Sequence, residues 1–260
     1  MTGHSMVQAI DGCPGRPGLK VILEIFFSSL LLCAISLPAP NNAGARETID
    51  LSSWTEVEGA TLPDHWQLLN FPSISEATSY RVVRDPAYGP VIRAQSSAGA
   101  GGIFRSISVD PNKFQILNWS WKIYNTLSGS SLIHKNGDDF PARVMISFKT
   151  VGNARTGQRD NILCYVWATD DSVGSIAVNP IHSHIRTVVA ASGNDQRGTW
   201  LEMSRNIVVD YLQAFSEEPG TITGVSLMTD TDNTESEARA WYGPLWLSTG
   251  NEKTPGATLQ

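Results

Sequence analysis

Apolar and polar residues alternate along most of the chain after Arg46. In residues 102–110, Ile103, Ile107 and Val109 fall on one side of an extended segment and Phe104 on the other. This period of two is typical of strands with one buried face. Loops rich in Gly, Asn, Asp and Pro separate such segments, as in most all-β domains. The predicted strands lie in residues 78–85, 90–97, 102–110, 115–124, 142–150, 161–168, 186–192, 221–230 and 240–248.

One segment, residues 204–215, has the period of a helix instead. Its apolar residues recur at helical spacing and would share one face; they are Ile207, Val208, Tyr211, Leu212 and Phe215. Ser204 or Asn206 can cap its first turn, and "EEPG" ends it. Roughly ten strands with one short helix predict an all-β fold. We expect an antiparallel two-sheet β-sandwich of jelly-roll or galactose-binding-like type over residues 46–248, followed by a frayed tail at 249–260.

The first 45 residues do not resemble a folded domain. Arg16 and Lys20 precede the apolar run "IFFSSLLLCAISL", and a stretch rich in Pro and Asn leads to Ala43-Gly44-Ala45. A basic flank, a short apolar run and small residues at the end form the pattern of a secretory signal peptide. The run is shorter than the roughly 20 residues of a membrane span. We therefore predict cleavage after Ala45, a periplasmic or secreted protein, and no stable membrane insertion afterwards.

Composition narrows the function classes further. The net charge of −6 disfavours nucleic acid and anionic lipid as partners. Cys13 and Cys33 lie in the leader, so Cys164 remains without an intrachain partner, and its apolar surroundings predict a buried structural thiol. All eight Trp residues lie in the mature part. Packing in a β core is the favoured explanation for them, and stacking on sugar rings is the second.

An acidic loop, "TDTDNTE", follows the strand that ends near residue 230. Its Asp230, Asp232 and Asn233 predict either an Asx turn or an oxygen-rich cation site, with Ca²⁺ as the cofactor in the second case. An EF-hand is excluded, because positions five and six counted from Asp230 are Thr234 and Glu235.

Asp138 and Asp139 form a second acidic pair, just before the strand that carries Arg143. Residues four apart in a strand share a face, so Asp139 would lie beside Arg143, and Asp138 elsewhere, if the strand already starts at Asp139. The pair predicts a buried ion pair or a ligand-binding group. Loops of a jelly roll gather at its two ends, so Asp138 and Asp230 can belong to one composite acidic site.

Three weaker patterns add candidate ligand groups. Arg205 lies at the helix start, a position that predicts either capping and docking of the helix or an anion-binding site. Trp241 and Tyr242 follow the acidic loop and can form an aromatic platform for a sugar ring. His182 and His184 would share a strand face, but they lack a third metal ligand at suitable spacing.

Four motifs together resemble a family of exported bacterial proteins known as domain of unknown function 3047 (DUF3047). They are "LNWSWKI", "GDDFPARVMISF", "WLEMSRNIVVDY" and "MTDTDNTESEARAWYG". The resemblance covers most of residues 50–248. It implies a secreted β domain and no established activity.

These features favour a module that binds a carbohydrate or another cell-envelope ligand through Asp138, Asp139, Arg143, Arg205, Trp241 and Tyr242. A structural or interaction protein of the envelope is the second hypothesis. The third is a polysaccharide hydrolase or lyase that uses Asp and Arg in acid-base chemistry. No nucleophile elbow supports a Ser-His-Asp triad, and the absence of a phosphate loop and of a dinucleotide motif excludes nucleotide chemistry. We rank catalysis below binding.

Overall fold

Thirteen strands and one α-helix form in the residues that the computed structural model describes, which are 46–54, 62–150 and 159–250. In chain order they are β1 (Thr48–Asp50), β2 (Gln67–Leu69), β3 (Ser79–Asp85), β4 (Gly89–Ser97), β5 (Gly102–Val109), β6 (Ile116–Ile123), β7 (Arg143–Phe148), β8 (Asn161–Ala168), β9 (Ile176–Val178), β10 (Ile185–Ser192), β11 (Leu201–Asn206), α1 (Ile207–Phe215), β12 (Ile222–Met228) and β13 (Glu237–Ser248). A single 3₁₀ turn at Lys135–Gly137 interrupts the connection between β6 and β7.

The strands form two sheets that face each other. The first has the order β11-β6-β13-β4-β3, with β1 paired to the far half of β13, and the second has the order β2-β5-β12-β7-β8-β10-β9. Neighbouring strands are antiparallel except for β8 and β10, which run parallel. The predicted all-β sandwich with one short helix is confirmed, and the parallel pair is its one departure from an antiparallel pattern among the described strands.

Large aromatic side chains fill the space between the sheets. Trp119 and Trp121 of β6 point inward and meet Tyr165 and Trp167 of β8, with ring centroids 5.1 and 6.0 Å apart. All four side chains are buried. Aromatic side chains bury more apolar area than most others. Five of the eight Trp residues lie in this core, so the abundance of Trp mainly reflects packing.

The seven-stranded sheet carries apolar residues on its outer face as well. Met145 of β7 and Cys164 of β8 point away from the sandwich core, and Leu132 and Phe140 of the β6–β7 connection pack on them. Cys164 is buried, as its surroundings predicted, and burial raises the pKa of its thiol to about 12. The β6–β7 connection covers only part of this face, and the rest forms the floor of a pocket.

The helix begins three residues later than its pattern suggested. Residues 201–206 form β11, paired with β6, and Asn206 is the N-cap, whose Oδ1 accepts hydrogen bonds from the backbone N–H groups of Val208 and Val209. Ser204 belongs to the strand and its hydroxyl donates to Asn118. The apolar residues of α1 alone gave the helical period, and the end of β11 was assigned to the helix because Ser204 and Asn206 are both suitable N-cap residues.

The nine predicted strands are all present, with small shifts at their ends. The strands that sequence patterns did not indicate are β1, β2 and β9, each of three residues, and β11. Three residues are too few for a period of two to be recognised. The predicted signal peptide at 1–45 and most of the predicted tail, 251–260, lie outside the described residues. In the part described, no helix is long and apolar enough to cross a membrane.

The N-cap of α1 gives a first prediction. Replacing Asn206→Ala removes the acceptor for two backbone N–H groups and should lower the free energy of unfolding by about 0.5–2 kcal/mol. Asn206→Asp keeps an equally good cap and should stay close to the wild type. Urea unfolding of the three proteins measures both values, and equal losses in the two variants would contradict the capping role.

Candidate functional site

A buried guanidinium joins two acidic loops at one end of the seven-stranded sheet. Arg143, the first residue of β7, donates from Nε to Asp230 Oδ1 at 2.9 Å and from Nη1 to Asp138 Oδ1 at 3.2 Å. Its Nη2 donates to Asp230 Oδ2 and to the backbone oxygen of Asp138. All three side chains are buried. A charge out of water is stable only when it is paired and hydrogen-bonded, and these contacts meet that condition.

Local backbone features bring the two loops together. At Gly137 a Cβ atom would lie 2.4 Å from the backbone oxygen of Gly129, so only glycine fits where the chain turns toward Asp138. Phe140 N donates to Asp230 Oδ1 at 3.1 Å, which fixes the carboxylate to the neighbouring loop.

The hydroxyl of Tyr242 supports this corner from inside the sandwich. It donates to the backbone oxygen of Met228 at 2.6 Å and accepts from Arg143 N at 3.3 Å. It also lies 2.9 Å from the hydroxyl of Thr229. Burial raises the pKa of this phenol far above its ordinary value, so it remains a neutral donor.

Asp139 lies beside the ion pair but does not bind Arg143. Its Oδ2 accepts from the backbone N–H and the hydroxyl of Thr234, at 2.6 and 2.7 Å. Its Oδ1 is buried and has no hydrogen-bond partner in the described structure. The side chain is fully buried, so this oxygen is an unsatisfied acceptor within an acidic cluster.

Asp139, Asp230 and Asp232 form a group that can hold a metal ion. One carboxylate oxygen of each lies within 4.8 Å of the others. Burial raises the pKa of Asp230 to about 7, with Arg143 opposing the shift and Asp139 and Asp138 adding to it. Burial and the nearby Asp139 raise the pKa of Asp232 as well. In both groups burial is the larger cause of the raised pKa, and the neighbouring carboxylates are the smaller one.

A pocket of about 480 Å³ opens beside the acidic cluster, on the outer face of the seven-stranded sheet. Its polar end is formed by Asp138, Arg143, Asn179, Asp230, Asp232 and Asn233. Its walls and floor are apolar and include Leu69, Phe71, Ile74, Met145, Ile162, Ile181, Ile185 and Met228. Apolar walls with a few convergent polar groups characterise binding sites for small molecules.

A basic group lines the same pocket. It consists of Arg159 with His182 and His184, whose rings are 5.7 Å apart. Burial lowers the pKa of His184, and the neighbouring His182 and Arg159 lower it further. The two His residues lie in the turn before β10 and not on a strand face, because β10 begins only at Ile185.

The structure does not bring all of the predicted ligand residues together. Asp138, Arg143, Asp230, Asp232 and Asn233 line the pocket, and Asp139 lies behind them. These residues form the composite acidic site that the sequence suggested as one possibility.

Arg205 lies outside this pocket lining, at the start of α1. Its guanidinium binds both carboxylate oxygens of Asp210, at 2.9 and 2.6 Å, and Tyr165 donates to the same carboxylate at 2.7 Å. This pairing supports docking of the helix on the sheet, and it leaves the guanidinium engaged with Asp210.

The aromatic platform predicted from Trp241 and Tyr242 does not form. Adjacent strand residues point to opposite faces, so Tyr242 is buried in the core while Trp241 lies half-buried on the outer face of the other sheet. There Lys122 lies 4.8 Å from the ring centroid of Trp200 and 4.9 Å from that of Trp241. Trp241 is thus separated from the acidic pocket by the sandwich itself.

The expected pairing of Asp139 with Arg143 was wrong. It assumed that the strand already extends to residue 139, whereas β7 begins at Arg143. The preceding residues form an irregular loop that returns Asp138 to the guanidinium and turns Asp139 toward Thr234.

Asn179 is a site residue that sequence patterns did not reveal. Its Nδ2 donates to Asp138 Oδ2 at 2.8 Å, and its Oδ1 accepts from the backbone N–H groups of Ile181 and His182. The dipeptide Asn179-Pro180 indicates a turn. It does not indicate that the turn meets an acidic loop 41 residues earlier in the chain.

Comparisons with known proteins give a family and several similar structures. A family model described as "Protein of unknown function (DUF3047)" matches residues 64–246. No curated protein matches the chain.

Solved structures with a similar fold include a family 11 carbohydrate-binding module from Clostridium thermocellum in complex with a β-1,3-1,4-mixed-linked tetrasaccharide. It is 12% identical, with 79% of this chain and 98% of that chain covered and a TM-score of 0.39. A family 29 carbohydrate-binding module complexed with mannohexaose is 12% identical over 79% and 92% of the two chains, with a TM-score of 0.34. A xylanase variant is 8% identical over 80% and 89%, with a TM-score of 0.41.

The buried ion cluster gives a second prediction. Arg143→Leu leaves Asp138 and Asp230 buried without their cation and should lower the free energy of unfolding by about 3–5 kcal/mol. Adding Asp230→Asn should recover part of this loss, because the double variant no longer buries that uncompensated charge. Urea unfolding of the single and double variants measures the coupling. Arg205→Leu, which disrupts a partly exposed pair, should cost less, and an equal cost would contradict the special role of Arg143.

Proposed function

The chain belongs to the DUF3047 family, and we propose that it is a binding module whose pocket on the outer face of the seven-stranded sheet takes a saccharide. The observation that carries this proposal is the composition of the pocket. It combines carboxylate and amide groups at one end with apolar walls around the rest of its volume of about 480 Å³. That volume lies within the range of roughly 300–1,000 Å³ found for small-molecule sites.

The polar end suits a ligand rich in hydroxyl groups. Carboxylate oxygens accept hydrogen bonds, and an amide such as that of Asn233 both donates and accepts them. Sugar hydroxyls also donate and accept, so they can bond to both kinds of group. Asp138 and Asp230 are already held by Arg143, which keeps their geometry fixed before a ligand arrives. A fixed site binds more tightly because less conformational freedom is lost.

The apolar walls suit the C–H face of a sugar ring. Phe71 and Ile74 line the pocket from the connection after β2, and Ile181 lines it from the turn after β9. Phe71 is the aromatic residue of this lining that can stack on a ring. Arg159 in the same lining would favour a saccharide that also carries an anionic substituent.

Binding is favoured over hydrolysis by the state of the carboxylates. A general acid or base must be free to exchange its proton with the substrate. Asp230 is tied to Arg143 by two hydrogen bonds, and Asp139 is fully buried. Of the three clustered carboxylates this leaves the half-exposed Asp232, whereas glycoside hydrolysis commonly uses two. A purely structural role in the envelope does not require an open pocket. The proposed module would act after export, as the signal-peptide pattern of residues 1–45 indicates, and would take Ca²⁺ as its cofactor.

Isothermal titration calorimetry against neutral and acidic oligosaccharides tests this function. Asn233→Ala and Phe71→Ala each remove one pocket contact and should weaken binding of any oligosaccharide that binds by about tenfold, or about 1.4 kcal/mol. Neither residue belongs to the buried ion cluster, so both variants should remain folded.

Trp241→Ala is the matched control on the opposite sheet. It should leave the affinity unchanged if the pocket is the binding site. Loss of binding in Trp241→Ala alone would transfer the site to the outer face of the six-stranded sheet. No binding of any oligosaccharide would favour the structural hypothesis, and release of new reducing ends would favour the hydrolase.

A further inference from the structure

We propose that Asp139, Asp230 and Asp232 bind a hard divalent cation, with Ca²⁺ as the preferred ion. The proposal deepens the cofactor part of the proposed function but does not require that the pocket bind a saccharide. It also adds Asp139, from the β6–β7 connection, to the ligands predicted from the sequence, which are Asp230, Asp232 and Asn233.

The distances among the carboxylates suit one shared ion. Oxygens bound to Ca²⁺ lie about 2.3–2.6 Å from it, so two of them on one ion are at most about 4.6–5.2 Å apart. The three ligand oxygens all lie within 4.8 Å of one another. They come from two loops that the buried Arg143 already holds together, so binding needs little rearrangement.

Asp139 supplies the observation that points to an absent partner. Its Oδ1 is the only carboxylate oxygen among the buried, unpartnered side-chain atoms of the described residues. The other oxygen, Oδ2, is fixed by two hydrogen bonds from Thr234, so the side chain cannot turn to satisfy Oδ1 without losing them. A buried acceptor without a partner is costly, and a cation bound by the acidic group would provide that partner.

The charges of the cluster also call for a cation. Four carboxylates, those of Asp138, Asp139, Asp230 and Asp232, gather around the single guanidinium of Arg143. Like charges at such distances repel strongly when they are partly removed from water. A divalent ion would offset the excess.

The donor set favours a hard ion over a transition metal. All three ligands are carboxylates, with no Cys or His in the group. Ca²⁺ takes six to eight oxygen ligands in flexible geometry, whereas Zn²⁺ prefers nitrogen and sulfur. Three carboxylates leave coordination positions for water or for a ligand, and Asp230 and Asp232 also line the pocket. The ion would thus lie at the pocket's polar end.

Calorimetric titration of the purified chain, first freed of metal with EDTA and then dialysed, tests the site with CaCl₂ alone. We expect saturable binding of one ion per chain and a higher midpoint of thermal unfolding in excess Ca²⁺ than in EDTA, because a ligand that binds only the folded state stabilises it. Asp232→Asn, at a half-exposed position, should weaken Ca²⁺ binding at least tenfold while the chain stays folded. Asp139→Asn should do the same.

Asp195→Asn is the control, because it removes an exposed carboxylate that is not part of the acidic cluster. It should bind Ca²⁺ as the wild type does. The proposal is overturned if Ca²⁺, Mg²⁺ and Mn²⁺ all give neither binding heat nor a change in the unfolding midpoint. It is also overturned if Asp232→Asn, once shown to be folded by circular dichroism, binds Ca²⁺ with unchanged affinity. Should Asp139→Asn not fold, the Asp232→Asn result decides.

The two proposals fail separately. Ca²⁺ binding without any oligosaccharide binding would reject the saccharide and keep the cation site. Oligosaccharide binding that is the same in EDTA and in Ca²⁺, with no Ca²⁺ binding in the absence of sugar, would reject the cation site and keep the pocket.

Discussion

The placement of a buried positive charge determines the arrangement of this end of the molecule. Arg143 begins a central strand of the seven-stranded sheet and has almost no contact with water, so its guanidinium must be paired within the protein. Its partners come from two loops. Asp230 lies 87 residues from Arg143 in the sequence, and Asp138 lies five residues from it. If either loop moved alone, the buried guanidinium would lose its paired carboxylate. The shape of the pocket depends on the fixed position of both loops.

The sandwich supplies the rigid support that such a site needs. The inner face of the seven-stranded sheet packs on the six-stranded sheet through aromatic residues, and Tyr242 extends from that core to the corner of the site through its hydroxyl. The outer face of the same sheet is only partly covered by the β6–β7 connection. A sheet with apolar residues on both faces must cover the second one or bind something on it, and here the uncovered part forms the pocket floor.

Local patterns made part of the structure predictable from the sequence, and long-range contacts account for the part that was not. Nine of the ten described strands with six or more residues and the helix Ile207–Phe215 were recognisable, whereas the three-residue strands and β11, which has only two apolar residues, were not. The acidic residues of the site were recognisable as well, because clusters of Asp stand out in loops. Their pairing was not, because it depends on where β7 begins and how the loop before it turns. The assignment of Trp241 and Tyr242 to one platform failed on the simplest rule of strands, since neighbours point to opposite faces.

The acidic cluster is difficult to explain by stability alone. Replacing a buried ion pair with well-packed apolar residues is often neutral or stabilising, so a fold does not need one to form. This protein keeps four carboxylates with one arginine at the edge of an open pocket, including a buried oxygen of Asp139 that no described group satisfies. Such an arrangement costs stability until something positive or hydrogen-bonding occupies it. Strongly perturbed carboxylates beside a cleft are characteristic of functional sites, and in a sandwich whose core is otherwise aromatic and apolar, this corner is where binding is to be sought.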